Sequence, residues 1–315
     1  MISKPSRNFA SFFLHIATVA AILAVYLPSS AQENHYRIFS LRLQKEVPAD
    51  SIIADMENHN VLLFGEEHND SAGHALEKEL LSLLFLKYGT HTVLSMEMFD
   101  RDVQNIMEEY LSGLIREKDF RKDVRPWKNY TDYRPLVEFC KENGIRILCS
   151  NAPSRYVNAA GRMGQEKLMQ IPQISRKFIA PLPYDTATGK YYEQLIALSG
   201  HASSPKKDSA AITSNPSAAF NIVQAQSLWD ATMAYSITEF YRKNKKSKIL
   251  HINGKLHSDE EAGIMPYLKK RNSKLKALVI SCFPDESFSS PSWTKFSSSM
   301  ADYIIITDPG AGRTF

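Results

Sequence analysis

Short apolar runs and longer amphipathic stretches alternate along most of this chain. Tyr36 to Leu43 alternates like an opening strand, and Pro48 then introduces an amphipathic helix reaching about Asn58. Val61–Phe64 is wholly apolar and stops at Gly65, the pattern of a buried strand. Asn69, Asp70 and Ser71 offer capping oxygens to a helix from about Ala72 to Tyr88. Thr92–Met96 predicts the next strand, ending in Glu97-Met98-Phe99. Arg101–Leu114 predicts a helix with Val103, Ile106, Met107 and Tyr110 on one face. A polar, aromatic loop holding Trp127, Tyr130 and Tyr133 precedes a helix from Arg134 to Asn143, which Gly144 stops. Ile145–Cys149 is a strand ending in Ser150-Asn151-Ala152, and Pro153 suits the first turn of a further helix.

From Ile171 to about Ala219 the pattern loosens into loop composition. Residues 171–219 therefore predict an insertion within one domain, because the alternation resumes beyond them. A long helix over Phe220–Tyr241, a strand over Lys248–Ile252 and a helix over Ser258–Lys270 follow, then strands at Leu275–Cys282 and Tyr303–Thr307. Strands alternating with helices predict an α/β fold: a mostly parallel central sheet flanked by helices on both faces.

The amino terminus breaks this rhythm. Lys4 and Arg7 precede the apolar run FFLHIATVAAILAVYL, and Ser29-Ser30-Ala31 places small residues where signal peptidase cuts. Residues 1–31 read as a cleaved secretory signal peptide, which makes residues 32–315 a single exported domain. No cysteine lies near the cleavage point for lipid attachment, and no later stretch is long and apolar enough to span a membrane. The 315-residue chain carries a formal charge of +4, and loss of the leader removes two of its positive charges. The remaining cations are scattered. Their one cluster, from Arg242 to Lys248, complements a helix end, so no nucleic-acid partner is expected. Cys140, Cys149 and Cys282 lie in or beside apolar segments without zinc-ligand spacing and read as small buried residues.

The chemistry collects just past the strand ends, where parallel sheets carry their sites. VLLFGEEH gives Glu66, Glu67 and His68; the following strands give Glu97 and Asn151; KILHINGKLH gives His257 after a second Gly-x-x-His unit. Gly65, able to adopt angles other residues avoid, is expected to turn the chain and present the residues behind it. Imidazole and carboxylate ligate zinc, manganese or iron and also serve acid–base catalysis. His74 joins this group if its helix starts after His68. Arg101 counts among the pocket residues. Gln226 and Asp230 share one face of the long helix with Trp229 and Met233, and the strand-end histidines could partner them if buried. Tyrosine oxygen ligates ferric haem, which also needs an apolar slot. Tyr184, Tyr191 and Tyr192, with Lys190 and His201 near in sequence, are the candidates for that role.

GEEH with His74 behind it, SMEMFDRDVQ, the Trp127–Tyr133 loop, SNAP, AQSLWDATMA and NGKLH occur in this order. Together, from about Tyr36 to Cys282, they resemble the haem-binding uptake family of iron-regulated bacterial envelope proteins, the ChaN-like proteins. The paired Gly-x-x-His units are similar to the wider Tiki/TraB (EreA/ChaN-like) superfamily. The resemblance implies the α/β fold of that superfamily and a role in haem or iron acquisition. It also implies haem held by a tyrosine in a homodimer, with envelope haem-transport components as partners. Glu66, His68, Glu97 and His257 match the superfamily's site motif, which in its peptidases binds metal or activates water. Two expectations stand together: an exported haem-binding protein, and a metal-dependent hydrolase. In the hydrolase, His68, His257 and Glu66 hold a divalent metal, and Glu66 or Glu97 acts as base.

Overall fold

In the computed structural model, residues 35–202 and 221–315 are described, and Tyr36–Phe315 form one compact unit. The expected leader and the stretch 203–219 of the expected insertion lie outside the described residues. The opening run folds as β1 (Tyr36–Ser40) and turns tightly into β2 (Lys45–Glu46), ahead of helix α1 (Ala49–Asp55). Then come β3 (Val61–Glu66), α2 (Ser71–Tyr88) and β4 (Thr92–Asp100). Helices α3 (Gln104–Leu111), α4 (Glu117–Val124) and α5 (Tyr130–Asn143) precede β5 (Arg146–Asn151) and α6 (Ser154–Met163). The loose segment holds α7 (Gly189–Ala202), after which α8 (Ile222–Lys243), β6 (Lys248–Gly254), α9 (Ile264–Arg271), β7 (Ala277–Pro284) and β8 (Tyr303–Thr307) complete the order.

The eight strands form one sheet in the order β2-β1-β8-β7-β3-β6-β4-β5. Pairing is parallel from β8 through to β5, while β1 runs antiparallel to both β8 and β2. The expected α/β architecture is therefore present. Alternate residues of each strand serve opposite faces. Leu62, Phe64, Met96 and Ile252 pack with α1 to α5 on one face, and Val61, Leu63, Val93 and Ile249 with α8 and α9 on the other.

Several boundaries differ from expectation. The apolar run of β3 does not end at Gly65, because Gly65 pairs in register with Asn253 of β6 and Ser281 of β7. The expected helix over Ser258–Lys270 begins only at Ile264, since Glu260 and Gly263 take positive φ and break the preceding turns. Helix α4, unforeseen in the polar stretch after Leu114, forms because Phe120 and Val124, one turn apart, bury themselves against the core.

Candidate functional site

The sheet order explains the site. Strands β3, β6, β4 and β5 are neighbours, so their carboxyl ends bring Glu66, Gly254, Glu97 and Asn151 to one edge despite their distance in sequence. A register shift between Met96 and Asp100 re-aims β4 where Glu97 leaves it. Glu66, Glu67, His68, Glu97, Asn151, Gln226, Trp229 and His257 line one cavity of about 470 Å³.

Glu66 is buried and fully engaged on one side. Its Oε1 accepts from His68 Nδ1 at 2.7 Å and from the Tyr133 hydroxyl at 2.6 Å. Burial alone would raise the Glu66 carboxyl, but the hydrogen bond from His68 and the His74 imidazole beside it bring it well below the ordinary range. His68 answers in the opposite direction. Burial opposes its charge, yet Glu66 and Glu97 raise its imidazole. The ring stands edge-on to Trp127, with centroids 4.9 Å apart.

A second chain of bonds crosses from α7 to β4. Tyr191 donates its hydroxyl to Asp230 Oδ2 at 2.8 Å, and Asp230 Oδ1 takes His257 Nδ1 at 2.6 Å. His257 Nε2 lies 3.4 Å from Glu97 Oε1, and Glu97 Oε2 accepts from the Gly254 backbone N–H at 2.8 Å. Burial opposes charge on His257, but the two flanking carboxylates push it up to about 10. Glu97, against its own burial, is pulled by His257 down to about 2. For Asp230, burial outweighs His257 and keeps the carboxyl above its usual value. This arrangement holds an imidazolium between carboxylates, with both ring nitrogens occupied and the Gln226 amide 3.1 Å away.

Most of the residues singled out in the sequence therefore meet, but not all in the expected roles. His68 and His257 line the same cavity without converging with Glu66 on an ion-sized space. Among the described residues, the donors that converge within 4.8 Å of one another are Glu66, His74 and Glu77. His74 joins because α2 starts at Ser71, capped by Asp70, and so turns His74 back toward Glu66. Asn151 lines the cavity while its Oδ1 accepts from the Ala152 N–H. Arg101 is elsewhere. It donates to Ser236 Oγ and the Lys177 carbonyl, lies over the Tyr235 ring and lines a separate cavity of about 990 Å³ with His91.

The tyrosines divide. Tyr184 and Tyr191 line a third cavity, of about 780 Å³, beside Tyr267. Tyr184 is buried and donates to the Gln224 carbonyl. Tyr192, by contrast, is 45% exposed. The side chain of His201 lies outside the described residues. Tyr133 and Glu77 were not singled out from the sequence. For Glu77 a signal existed: it interrupts the apolar stripe of α2 formed by Leu76, Leu80, Leu81 and Leu84, all buried.

No curated protein matches the chain. A solved structure described as "Cofacial heme binding to ChaN of Campylobacter jejuni" superposes with a TM-score of 0.63 at 17% identity, covering 87% of this chain and 97% of that one. At that identity the two share the fold. The type III effector HopBA1 (TM-score 0.46, 14% identity, 83% and 93% covered) and the erythromycin esterase EreC (0.44, 12%, 87% and 83%) are more distantly similar. The model of the family "Haem-binding uptake, Tiki superfamily, ChaN" matches residues 52–268, most of the chain, and this protein belongs to that family.

Proposed function

We propose that this protein is exported and binds haem through Tyr192 of α7, serving haem or iron uptake at the cell envelope together with haem-transport components there. Membership of a haem-binding uptake family supports the cofactor class. One observation carries the choice of residue. Of the three candidate phenols, Tyr191 is committed to Asp230 and Tyr184 to Gln224, while Tyr192 presents its side chain to solvent. Burial, then the Asp230 charge, raises the Tyr191 hydroxyl far above its ordinary value, which disfavours the phenolate that iron needs. Ile196, 44% exposed, stands one helical turn beyond Tyr192 and offers apolar contact to a porphyrin face. A surface helix covers only one face of a flat apolar disc. A second copy of the chain covering the other would make the complex a homodimer.

The test is a visible-absorption titration of the purified protein with ferric haemin, with the mass of the complex measured at saturation. Saturable binding with tyrosinate-iron absorption is expected, retained in Tyr184→Phe and Tyr191→Phe and lost in Tyr192→Phe. Binding that survives Tyr192→Phe with an unchanged spectrum overturns the residue assignment, and absence of saturable binding overturns the haem reading. Export rests on Lys4, Arg7, the apolar run and Ser29-Ser30-Ala31. It predicts periplasmic protein whose amino terminus begins at about residue 32; a full-length chain in the cytoplasmic fraction would refute it.

A further inference from the structure

Behind the strand-end cavity, Glu66 turns its second carboxylate oxygen away from solvent, 3.3 Å from His74 Nε2. His74 and Glu77 approach it from α2, three residues apart on one side of the helix. All three side chains are buried, Glu77 completely. Glu66 Oε2, both ring nitrogens of His74 and both oxygens of Glu77 have no hydrogen-bond partner. Each buried polar group left unsatisfied costs about 1–3 kcal/mol, and more when charged. Five such atoms on three adjoining side chains call for an occupant.

The electrostatics narrow its sign. Two carboxyls this close cannot both ionise without a positive charge between them. Either a proton or a cation resolves this. A shared proton would join one oxygen of Glu77 to Glu66 and leave both nitrogens of His74 unused. A divalent cation would take all three residues and balance both carboxylate charges.

Distances favour the cation. His74 Nε2 lies 3.3 Å from Glu66 Oε2, without the geometry of a hydrogen bond. Two donors each about 2.1 Å from one ion stand roughly 3.0–3.5 Å apart. With the nearest Glu77 atom the three donors fit within 4.8 Å of one another.

We propose that Glu66, His74 and Glu77 form a closed binding site for a first-row divalent cation. Two carboxylates and one imidazole suit zinc, manganese or iron(II). Glu66 gives the site a consequence in the neighbouring cavity. Its Oε1 binds His68 Nδ1 and the Tyr133 hydroxyl, so a cation on Oε2 fixes the carboxylate that orients His68. The site is separate from the Tyr192 surface and is tested on haem-free protein.

Chelator-treated protein is incubated with zinc, desalted and assayed for bound metal, in parallel with Glu77→Gln, His74→Gln and His257→Ala. One equivalent per chain is expected in the wild type and in His257→Ala. Affinity should fall at least about 100-fold in Glu77→Gln and His74→Gln. Full retention in Glu77→Gln, loss in His257→Ala alone, or no retention by the wild type overturns the proposal. Should the α2 variants fail to fold, cobalt(II) added to the wild type decides. One equivalent with the intensified visible bands of a protein-bound ion supports the site, and the unchanged spectrum of aqueous cobalt overturns it.

Discussion

The two Gly-x-x-His units contain glycines that look equivalent, yet replacing each with alanine should give different results. Neither Gly65 nor Gly254 has a positive φ, so the reason for glycine is close approach, not an unusual backbone angle. A Cβ at Gly65 would sit 2.9 Å from the Lys255 Cα, 3.0 Å from the Ile280 carbonyl oxygen and 2.7 Å from Ser258 Oγ. Two of these are backbone atoms on either side of β3, so relief requires the sheet to part. Overpacking a core costs about 1–3 kcal/mol, and a backbone obstacle puts Gly65→Ala at the upper end. At about 2–4 °C per kcal/mol, the thermal midpoint should fall by roughly 6–12 °C. A Cβ at Gly254 would instead meet the far end of His68, Nε2 at 2.8 Å and Cε1 at 2.9 Å. The His68 side chain is 36% exposed and can swing outward, at the cost of its bond to Glu66. That exchange should cost about 1–2 kcal/mol. Thermal and urea unfolding of both variants measures the contrast. Equal losses, or a Gly65→Ala protein within about 0.5 kcal/mol of wild type, would refute the reasoning.

Further outcomes follow from the buried charges. His257, raised from 6.5 to about 10, contributes stability that is complete below pH 6.5, declines above it and is gone once pH passes about 10. Urea midpoints from pH 6 to 10.5 should therefore fall more steeply for wild type than for His257→Gln; parallel curves would contradict the assignment. Asp230→Asn removes one partner of a buried ion pair and should cost about 3 kcal/mol. Combined with Tyr191→Phe it should cost less than the sum of the two, since both act on one chain of bonds. Strict additivity in that double-mutant cycle would show the bonds to be independent.

Local pattern alone determined much of this protein. The apolar runs at Val61, Thr92, Lys248 and Tyr303 became strands because alternate residues must be buried on two faces. Asp70 capped α2 because its side chain reaches an unpaired helix N–H. The residue types at the strand ends were legible for the same reason: chemistry-bearing side chains interrupt apolar segments there. The tertiary structure decided what no window of sequence contains. It inserted β8, the last strand, between β1 and β7, and set β6 between β3 and β4, which makes His257 a neighbour of Glu97. It assigned Arg101 to another cavity, left Tyr192 rather than Tyr191 facing solvent, and made Gly65 a point of close approach instead of a turn. It also set Glu77 beside Glu66, eleven residues earlier in the chain. Periodicity records which face of an element is buried. Which distant segment covers that face depends on packing energy shared among all the elements at once.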